Sequence, residues 1–595
     1  MSQYDAAPRP ALTPGQLWRR LVEGVWKVEH AFERARAADR AVDDTRLRIF
    51  LVLCLFAFGF MFVGLEAGKK ALFSGIEPDD LAPPPAALAR ADLVDRNGEI
   101  LAVDLAHYGL YLDPREVWDA PETRAGLLRA LPRLDPARLS KALAGHRREY
   151  LAGGLTPAER ERVHDLGLPG VDFEEESRRA YPLGATAGHY IGFADAGGKG
   201  LAGAERALDA QVRAAGAGGG QVQLAMDLRV QAALEDEMRR GMATYGPKAV
   251  MGVVTDLKTG EILALSSLPD FDPNDPGKSD PAALTNHVAA SDYEMGSTFK
   301  MFAFAEAVDS GRVGPNSTFD ATTLQIGPRV IHDHHKVNRA LTLREIFDYS
   351  SNVGTAKMAL AAGGANMERY FNAFGLLSPV KVELAETARP IRPRTWDENT
   401  VASAAFGNAI AVTPLNVAAG VGAIMNGGTY VPLTLLKRDP GAPIAGTHRA
   451  VSPQTSRMML DFMRDNVVDP IGSGKKADAP GLRVGGKTGS NEKADHGKID
   501  RDKLLTSFAA VFPTDGPLDA HRYLVLIVMD EPHATKETYG FALGGWNAAP
   551  VAGKVVDRIA GFLHVARVPT TPFATPKPAA ALPAAEEETT TSELR

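Results

Sequence analysis

The chain has little cysteine and no excess of positive charge. Its 595 residues include one cysteine, Cys54, so an intrachain disulfide, a disulfide-stabilised scaffold and a metal site with several cysteine ligands are all excluded. Lysine and arginine number 66 against 73 aspartate and glutamate residues, a formal net charge of −7. Proteins that bind nucleic-acid phosphates are normally basic, so no nucleic-acid partner is expected.

One uncharged hydrophobic segment lies near the N terminus. Residues 49–65 read IFLVLCLFAFGFMFVGL, 17 residues without a charge, which is close to the shortest α-helix that spans a bilayer. We predict a transmembrane helix at residues 49–67. A buried core helix is the alternative. A cleaved signal peptide is disfavoured, because roughly 48 residues precede the segment and no clear A-x-A cleavage site follows it.

Flanking charge predicts the orientation of this helix. The 20 residues before it carry five arginines and the 20 after it carry two lysines (Arg34, Arg36, Arg40, Arg46 and Arg48; Lys69 and Lys70). The positive-inside rule then places residues 1–48 in the cytoplasm and about 530 residues in the periplasm, as a single-pass protein of the inner membrane. Apolar residues within 16–32 recur at helical spacing, which fits either an amphipathic helix on the membrane surface or a helix that binds a partner.

Beyond the membrane, composition divides the chain into a smaller region, a larger domain and a tail. Residues 68–220 begin with a proline-rich linker at 81–87 and mix short strand-like runs with charged helical stretches, which predicts a structural pedestal. Asn97-Gly98 is a hairpin turn signal within it. Residues 567–595 are rich in Pro, Ala, Thr and Glu, and we predict a disordered tail there.

For the larger domain, residues 221–566, we predict a mixed α/β fold. Two apolar runs within 249–266 flank a Lys-Thr-Gly turn at 258–260, a strong signal for a β-hairpin. Helical patterns dominate residues 298–425, and strand-like runs return between 505 and 529. This order indicates a sheet that is built from both ends of the domain.

The segment GSTFK at 296–300 carries a candidate nucleophile. Ser297 lies where a helix is predicted to begin, and Lys300, three residues on, lies on the same helical face. Residues 299–308 are apolar on nearly every side, so the helix is predicted to be buried; burial disfavours the ammonium form and lets Lys300 act as a base towards Ser297. The helix N terminus also aims backbone N–H groups at an oxyanion. A serine N-cap followed by a surface lysine is the alternative.

Two further motifs favour the catalytic interpretation. An S-x-N motif begins at Ser350, and a K-T-G-S motif begins at Lys487. S-x-x-K, S-x-N and K-T-G in this order form the active-site set of penicillin-binding proteins and serine β-lactamases. Each motif is weak alone, whereas the ordered series on a domain outside the membrane indicates acyl transfer through a serine. The candidate catalytic residues are Ser297, Lys300, Ser350, Asn352 and Lys487, and the candidate substrate-binding residues are Thr488, Gly489 and Ser490.

The chain resembles the class B penicillin-binding proteins from the anchor to about residue 565. The resemblance includes DRNG (95–98), GLAG (200–203), LPDFDPN (268–274), YEMGSTFK (293–300), SSNVG (350–354), DEP (530–532) and WNAAP (546–550). It implies an elongated α+β pedestal and a transpeptidase domain with a central antiparallel sheet flanked by helices. Met295 stands where the family usually has proline, and Ser490 where threonine is commoner; serine keeps the hydroxyl, so both departures leave the chemistry intact.

The resemblance also implies a role for each motif residue. Ser297 attacks the carbonyl of the penultimate D-Ala of a stem peptide, and Lys300 takes its proton. Ser350 relays a proton to the leaving D-Ala, while Asn352 orients the substrate amide and Lys300. An amine from a neighbouring stem peptide then attacks the acyl-enzyme and makes the cross-link.

The third motif is implied to bind the substrate. Lys487 supplies positive potential, and the hydroxyls of Thr488 and Ser490 hold the terminal carboxylate. Backbone N–H groups of Ser297 and Ser490 form the oxyanion hole. No cofactor or metal is required for this chemistry.

The function implied is a D,D-transpeptidase of the division-specific type that cross-links septal peptidoglycan and is acylated by β-lactams. Its implied partners are stem peptides, lipid-linked nascent glycan, a SEDS-family glycan polymerase and other division proteins. An elongation-type enzyme and a non-catalytic division scaffold remain alternatives. A bifunctional glycosyltransferase is disfavoured, because the pedestal contains no matching acidic catalytic motif.

Three other interpretations rest on single segments. GLRVGGKT at 481–488 matches the P-loop pattern, but the polar residues after it lack a helical period. A β-lactamase or β-lactam sensor needs a second base, and no E-x-x-L-N segment follows Asn352. The run HDHH at 332–335 suggests a metal site, although adjacent residues point in different directions, so a polar loop near the active-site rim is favoured.

Overall fold

The computed structural model describes residues 90–334, 336–495 and 498–568, together with seven isolated positions between 26 and 60; the side chains of 494–499, 501 and 502 are not described. The chain forms two compact units, residues 1–87 and residues 88–595. Apart from those seven positions, the predicted cytoplasmic segment and the predicted transmembrane helix lie outside the described residues. The predicted tail beyond residue 568 also lies outside them. Within the described part, no helix is both long and apolar enough to cross a membrane.

Residues 90–223 form a sheet with helices packed on it. In chain order the elements are β1 (Asp92–Val94), β2 (Ile100–Leu112), α1 (Ala120–Ala130), α2 (Pro136–Leu143), β3 (Glu149–Leu155), α3 (Pro157–His164), β4 (Val171–Ala180), α4 (Gly188–Ile191), α5 (Gly203–Ala207), α6 (Asp209–Ala217) and β5 (Gln221–Gln223). The strand order is β3-β2-β1-β5, and β4 also pairs with β2. Leucines of β2, α1 and β3 form a separate small core.

The hairpin predicted at Asn97-Gly98 is confirmed. β1 and β2 pair antiparallel around it, and Gly98 has a φ of 94°, a left-handed conformation that glycine adopts without steric cost. β5 pairs parallel with β1, so the first residues of the predicted larger domain complete the pedestal sheet. The domain boundary at residue 220 stays a prediction.

The remaining described residues form the larger α/β region. Its elements are α7 (Leu228–Tyr245), β6 (Ala249–Asp256), β7 (Ile262–Leu268), α8 (His287–Ala290), α9 (Lys300–Asp309), β8 (Thr318–Asp320), β9 (Leu324–Ile326), β10 (Arg329–Ile331), β11 (Ala340–Thr342), α10 (Leu343–Asp348), α11 (Asn352–Ala362), α12 (Gly364–Ala373), α13 (Glu398–Ala405), α14 (Pro414–Met425), β12 (Thr429–Tyr430), β13 (His448–Arg449), α15 (Pro453–Val468), β14 (Gly485–Asp495), β15 (Lys498–Phe512), β16 (Tyr523–Asp530) and α16 (Ala548–Ile559).

The main sheet has the strand order β14-β15-β16-β6-β7, with every neighbouring pair antiparallel. Three of its strands come from the end of the domain and two from its beginning, which confirms the prediction from strand order. The predicted hairpin at 258–260 joins β6 to β7, with Gly260 at a φ of 71°. β14, which carries the K-T-G-S motif, is an edge strand.

Helices cover both faces of this sheet. α7 and α16 share one apolar core with the strands, and α9, α14 and α15 share another on the opposite side. Because both faces are covered, β6 and β7 are buried along their whole length, and apolar residues do not alternate with polar ones along them. The predicted central antiparallel sheet flanked by helices is therefore observed.

The segment LPDFDPN attaches the pedestal to the larger region. The Asn274 side chain accepts a hydrogen bond from the Tyr181 backbone N–H and donates one to the Tyr181 carbonyl, both at 2.9 Å. One amide side chain thus pairs with the end of β4 as a neighbouring strand would. This segment has a structural role that its sequence alone did not indicate.

Candidate active site

Ser297 lies in a tight turn directly before α9. Residues Gly296–Phe299 form a 3₁₀ turn, and the α-helix begins at Lys300 rather than at the serine as the sequence predicted. Gly296 has a φ of 54°, and a Cβ there would lie 3.0 Å from the Ser490 carbonyl oxygen. A residue with a side chain would be strained at this position and would push β14 away from Ser297.

Lys300 is fully buried, and its amine connects two of the three motifs. Its Nζ donates to Asn352 Oδ1 at 2.8 Å, to Ser350 Oγ at 3.1 Å and to the Ser350 carbonyl oxygen. Burial is the main reason that the pKa of Lys300 falls well below 10.5; nearby Lys487 lowers it further, while Asp333 opposes the change. Burial therefore favours the uncharged form of the amine, which is the form that can accept a proton.

Among the described residues, the Ser297 hydroxyl makes no hydrogen bond. Lys300 lies one turn further along the chain, but its amine is held by Ser350 and Asn352 instead. Catalytic hydrogen bonds are often long before substrate binds and shorten only in the reacting complex. Proton transfer from Ser297 to Lys300 remains compatible with this arrangement.

Ser350 lies between the two lysines. Its hydroxyl is 3.1 Å from Lys300 Nζ and 3.0 Å from Lys487 Nζ, although Lys487 is 137 residues away in sequence. Ser350 has a φ of 55°, a left-handed conformation that costs about 1–2 kcal/mol in a residue with a side chain. Ser350 lies in the turn between α10 and α11. Its left-handed backbone conformation directs the Ser350 hydroxyl towards both amines.

Asn352 begins α11, and Asp333 holds that end of the helix. One Asp333 oxygen accepts from the Ser351 hydroxyl at 2.6 Å and the other from the Val353 N–H at 2.9 Å. A carboxylate at a helix N terminus is favoured by the helix dipole. Asp333 belongs to the HDHH run, so this part of the run is a helix cap beside the site. Among the described residues, which exclude His335, no group of three potential ligands is placed to hold a metal.

Lys487 is fully buried on β14, inside the domain. Its Nζ lies 5.5 Å from the centre of the Phe347 ring. Burial lowers the pKa of Lys487 to about 7, and the charge of Asp348, at the end of α10, acts in the opposite direction. Asp348 is itself buried, one of its carboxyl oxygens has no hydrogen-bond partner in the described part of the chain, and burial raises its pKa to about 7.

The other residues of the third motif alternate along β14. A Cβ on Gly489 would lie 2.4 Å from the Thr298 hydroxyl, so only glycine fits against the turn that carries Ser297. Thr488 pairs with the Ser473 hydroxyl at 2.7 Å, and Ser490 Oγ accepts from the Gly544 N–H at 2.9 Å. All of these residues lie in a strand, which excludes the P-loop interpretation, because a P-loop requires a loop that opens a helix.

The structure therefore brings together every candidate residue that the sequence predicted. Ser297 lies directly before a buried helix, and hydrogen bonds link the buried Lys300 amine to the Ser350 hydroxyl and that hydroxyl to the buried Lys487 amine. Sequence reasoning did not predict the roles of Asp333, Asp348 and Ser473. No motif marks these three residues, and their partners are distant in the sequence.

Comparisons with known proteins agree with this geometry. A family model described as the penicillin-binding protein transpeptidase domain matches residues 250–556, and one described as the penicillin-binding protein dimerisation domain matches residues 85–212. A relative named probable peptidoglycan D,D-transpeptidase FtsI from Caulobacter vibrioides is 53% identical over 572 residues, covering 95% of this chain and 97% of the relative.

Two more distant matches agree as well. Peptidoglycan D,D-transpeptidase FtsI from Escherichia coli K12 is 28% identical and covers 87% of this chain and 92% of the relative. The crystal structure of penicillin-binding protein 3 from Mycobacterium tuberculosis superposes with a TM-score of 0.63 at 24% identity, over 81% of this chain and 98% of that chain. The similarity to the Mycobacterium tuberculosis structure shows the fold alone.

Proposed function

The chain belongs to the class B penicillin-binding proteins of the FtsI type, and from this premise we propose how its residues perform peptidoglycan D,D-transpeptidation in the septal wall. The Ser297 hydroxyl attacks the carbonyl carbon of the penultimate D-Ala, and its proton passes to the uncharged Lys300 amine. The tetrahedral intermediate then expels the terminal D-Ala, whose amine receives a proton through Ser350. The acyl group remains on Ser297.

In the second half of the reaction, an amine of a neighbouring stem peptide attacks the acyl-enzyme. Its proton passes by the same route, in reverse, to Ser297 Oγ as the bond to that oxygen breaks, and a new amide joins the two stems. Asn352 orients the substrate amide and Lys300, and the N–H groups of Ser297 and Ser490 stabilise the oxyanion in both halves. In other acyl-transfer enzymes one such donor contributes roughly 3 kcal/mol to the transition state.

The third motif binds the end of the donor peptide. Lys487 supplies positive potential through Ser350, and the hydroxyls of Thr488 and Ser490 hold the terminal carboxylate. Ser473 and the Gly544 N–H support these two hydroxyls from the side and limit their rotation. Gly489 has no side chain, and this absence lets β14 approach the nucleophile closely.

One observation supports this proposal most strongly: hydrogen bonds connect Asn352, Lys300, Ser350 and Lys487 without interruption, although the three motifs are far apart in sequence. A β-lactam that acylates Ser297 tests it. Full-length protein in membranes, treated with a fluorescent penicillin, is expected to form a long-lived adduct, and Ser297→Ala none. Ser310→Ala, just after the same helix, serves as the matched control and keeps wild-type labelling.

Other outcomes favour the alternatives. Rapid turnover of the penicillin favours a β-lactamase, and a labelled Ser297→Ala variant contradicts the assignment of the nucleophile. Normal growth of cells that carry only Ser297→Ala favours a non-catalytic scaffold. Depletion of the protein is expected to give filaments, whereas round cells favour the elongation type.

We also propose a single membrane anchor at residues 49–67, with the N terminus in the cytoplasm and the catalytic domain in the periplasm. The arginines before the segment and the location of the substrate support this topology. The polymerase that supplies nascent glycan is proposed to be a SEDS-family membrane protein, contacted through the anchor and the pedestal. Protease added outside spheroplasts is expected to cleave the pedestal while an N-terminal tag stays protected.

A further inference from the structure

Glu294 lies three residues before the nucleophile and has no role in the chemistry proposed above. It is half-buried, and its two carboxylate oxygens contact different parts of the domain. One oxygen accepts a hydrogen bond from the Ala409 N–H at 2.9 Å, and the other accepts from the Asn491 side-chain amide at 3.3 Å.

The first contact is to a loop, residues 406–412, that packs directly on the segment leading to Ser297. Tyr293 and Val412 exchange backbone hydrogen bonds at 2.9 and 3.0 Å. A Cβ on Gly407 would lie 2.1 Å from the Gly296 carbonyl oxygen, so the loop and the nucleophile segment touch backbone to backbone. A shift of this loop would therefore be transmitted to Gly296 and to Ser297 after it.

The loop is held in a conformation that needs support. Ala409 is exposed and has a φ of 64°, a left-handed conformation that is sterically unfavourable for a residue with a side chain. The Glu294 carboxylate binds the N–H of this same residue. The hydrogen bond thus acts at the point where the loop would otherwise relax.

The second contact is to β14, on the other side of the nucleophile. Asn491 directly follows Ser490, whose N–H is proposed to form part of the oxyanion hole. The Asn491 Cβ lies 3.1 Å from where a Cβ on Gly296 would be. Glu294 therefore connects three segments that meet at Ser297: the 406–412 loop, the turn that carries the nucleophile and the strand that carries the oxyanion donor.

We propose that Glu294 is a positioning residue for the transpeptidase reaction, which holds the 406–412 loop and β14 in fixed positions on either side of Ser297. The inference rests on the proposed acyl transfer. The proposed role of Glu294 depends on where its side-chain atoms lie rather than on its negative charge, because both contacts are hydrogen bonds to groups of the protein. Small displacements of a reacting group are costly: about 1 Å can slow a reaction roughly 100-fold.

Acylation kinetics of the full-length protein with a fluorescent penicillin test this inference. The maximal acylation rate at saturating penicillin is measured separately from the concentration that gives half of it. Glu294→Ala is expected to lower the maximal rate about 10- to 100-fold and to change the half-saturating concentration by less than about threefold. Glu492→Ala, one residue beyond Asn491 on the same strand, is the matched control and is expected to retain the wild-type rate.

Two more variants separate positioning from other roles. Glu294→Gln is expected to stay within about threefold of wild type, because its amide oxygen still accepts from Ala409 and its amide nitrogen can donate to a reoriented Asn491. Asn491→Ala is expected to be intermediate, and the double variant Glu294→Ala/Asn491→Ala no slower than Glu294→Ala, since both lose the same bond. Thermal unfolding of each variant provides the check on folding.

Several results would overturn the inference: Glu294→Ala within about twofold of the wild-type maximal rate, Glu294→Gln as slow as Glu294→Ala, or fully additive losses in the double variant. If Glu294→Ala does not fold, the inference is overturned by Asn491→Ala within about twofold of the wild-type maximal rate, or by Glu294→Gln slowed more than about threefold. Failure of the proposed function is distinguishable, because Ser297→Ala would then still be labelled. An unlabelled Ser297→Ala with a fast Glu294→Ala refutes the positioning role alone.

Discussion

Glu306 lies in the middle of α9, the helix that begins at Lys300, and is fully buried. Neither of its carboxyl oxygens has a hydrogen-bond partner among the described residues. Burial raises the pKa of Glu306 to about 8, and Arg369 on α12 offsets this only in part. A buried carboxyl group without hydrogen-bond partners destabilises the folded state, because on folding it must either keep an unpaired charge or take up a proton. We therefore predict that Glu306→Met stabilises the protein.

The size of the effect follows from the pKa. At pH 7.5 the folded protein keeps Glu306 largely protonated, whereas the unfolded chain, with a pKa near 4.5, does not. The corresponding free energy is about 1.4 kcal/mol for each pH unit above 4.5, or about 4 kcal/mol at pH 7.5. Methionine has a similar volume and needs no proton, so a gain of about 2–4 kcal/mol is expected after partial relaxation of the wild type.

The sign of the pH dependence provides the sharper test. The pKa of Glu306 is higher in the folded protein than in the unfolded chain. Its contribution to the free energy of unfolding is therefore most favourable below pH 4.5 and is lost as the pH rises towards 8. The advantage of Glu306→Met over wild type should therefore be below about 1 kcal/mol at pH 5 and should grow up to pH 8.

Thermal and urea unfolding at pH 5, 6.5 and 8 measure this advantage, with Glu368→Met, an exposed position on α12, as the control. The control is expected to change stability by less than about 0.5 kcal/mol at every pH. An advantage of Glu306→Met that is the same at pH 5 and pH 8 would refute the reasoning, as would a destabilised variant.

Three further predictions concern the site and its support. Asp348→Asn removes the negative charge that raises the pKa of Lys487, so the pKa of Lys487 should fall below about 7. The pH above which penicillin acylation slows should then fall by about 1 pH unit, and an unchanged value would contradict the effect of Asp348 on Lys487. Asp333→Ala removes two hydrogen bonds from the start of α11 and should cost about 2–3 kcal/mol in thermal unfolding and slow acylation roughly tenfold, with Asp333→Asn in between. Asn274→Ala should destabilise the pedestal attachment by about 1–3 kcal/mol and expose the chain near Tyr181 to limited proteolysis, while acylation stays at the wild-type rate.

Much of the fold could be predicted from the sequence where local chemistry decides the backbone. The hairpin turns at 97–98 and 258–260 follow from glycine in left-handed positions between apolar runs, and the observed strands confirm them. The burial of α9 follows from its apolar residues on nearly every side. The sheet built from both ends of the domain follows from the order of strand and helix patterns.

Other features were not predictable, because they depend on conformations that no pattern specifies. Ser297 lies in a 3₁₀ turn and Ser350 has a positive φ, although the local sequence requires neither conformation. β5 joins the pedestal sheet by pairing with β1, more than 100 residues earlier, so composition alone could not assign it.

The sequence by itself predicted the candidate nucleophile, the candidate base and the third motif, since their side chains and order carry the proposed chemistry. Only the tertiary structure decided what surrounds them. Asp348 acts on Lys487 from another element, and Glu294 contacts residues 115 and 197 positions away. The physical reason is that charge and hydrogen bonding depend on distance in space, and chain folding sets that distance independently of separation in sequence.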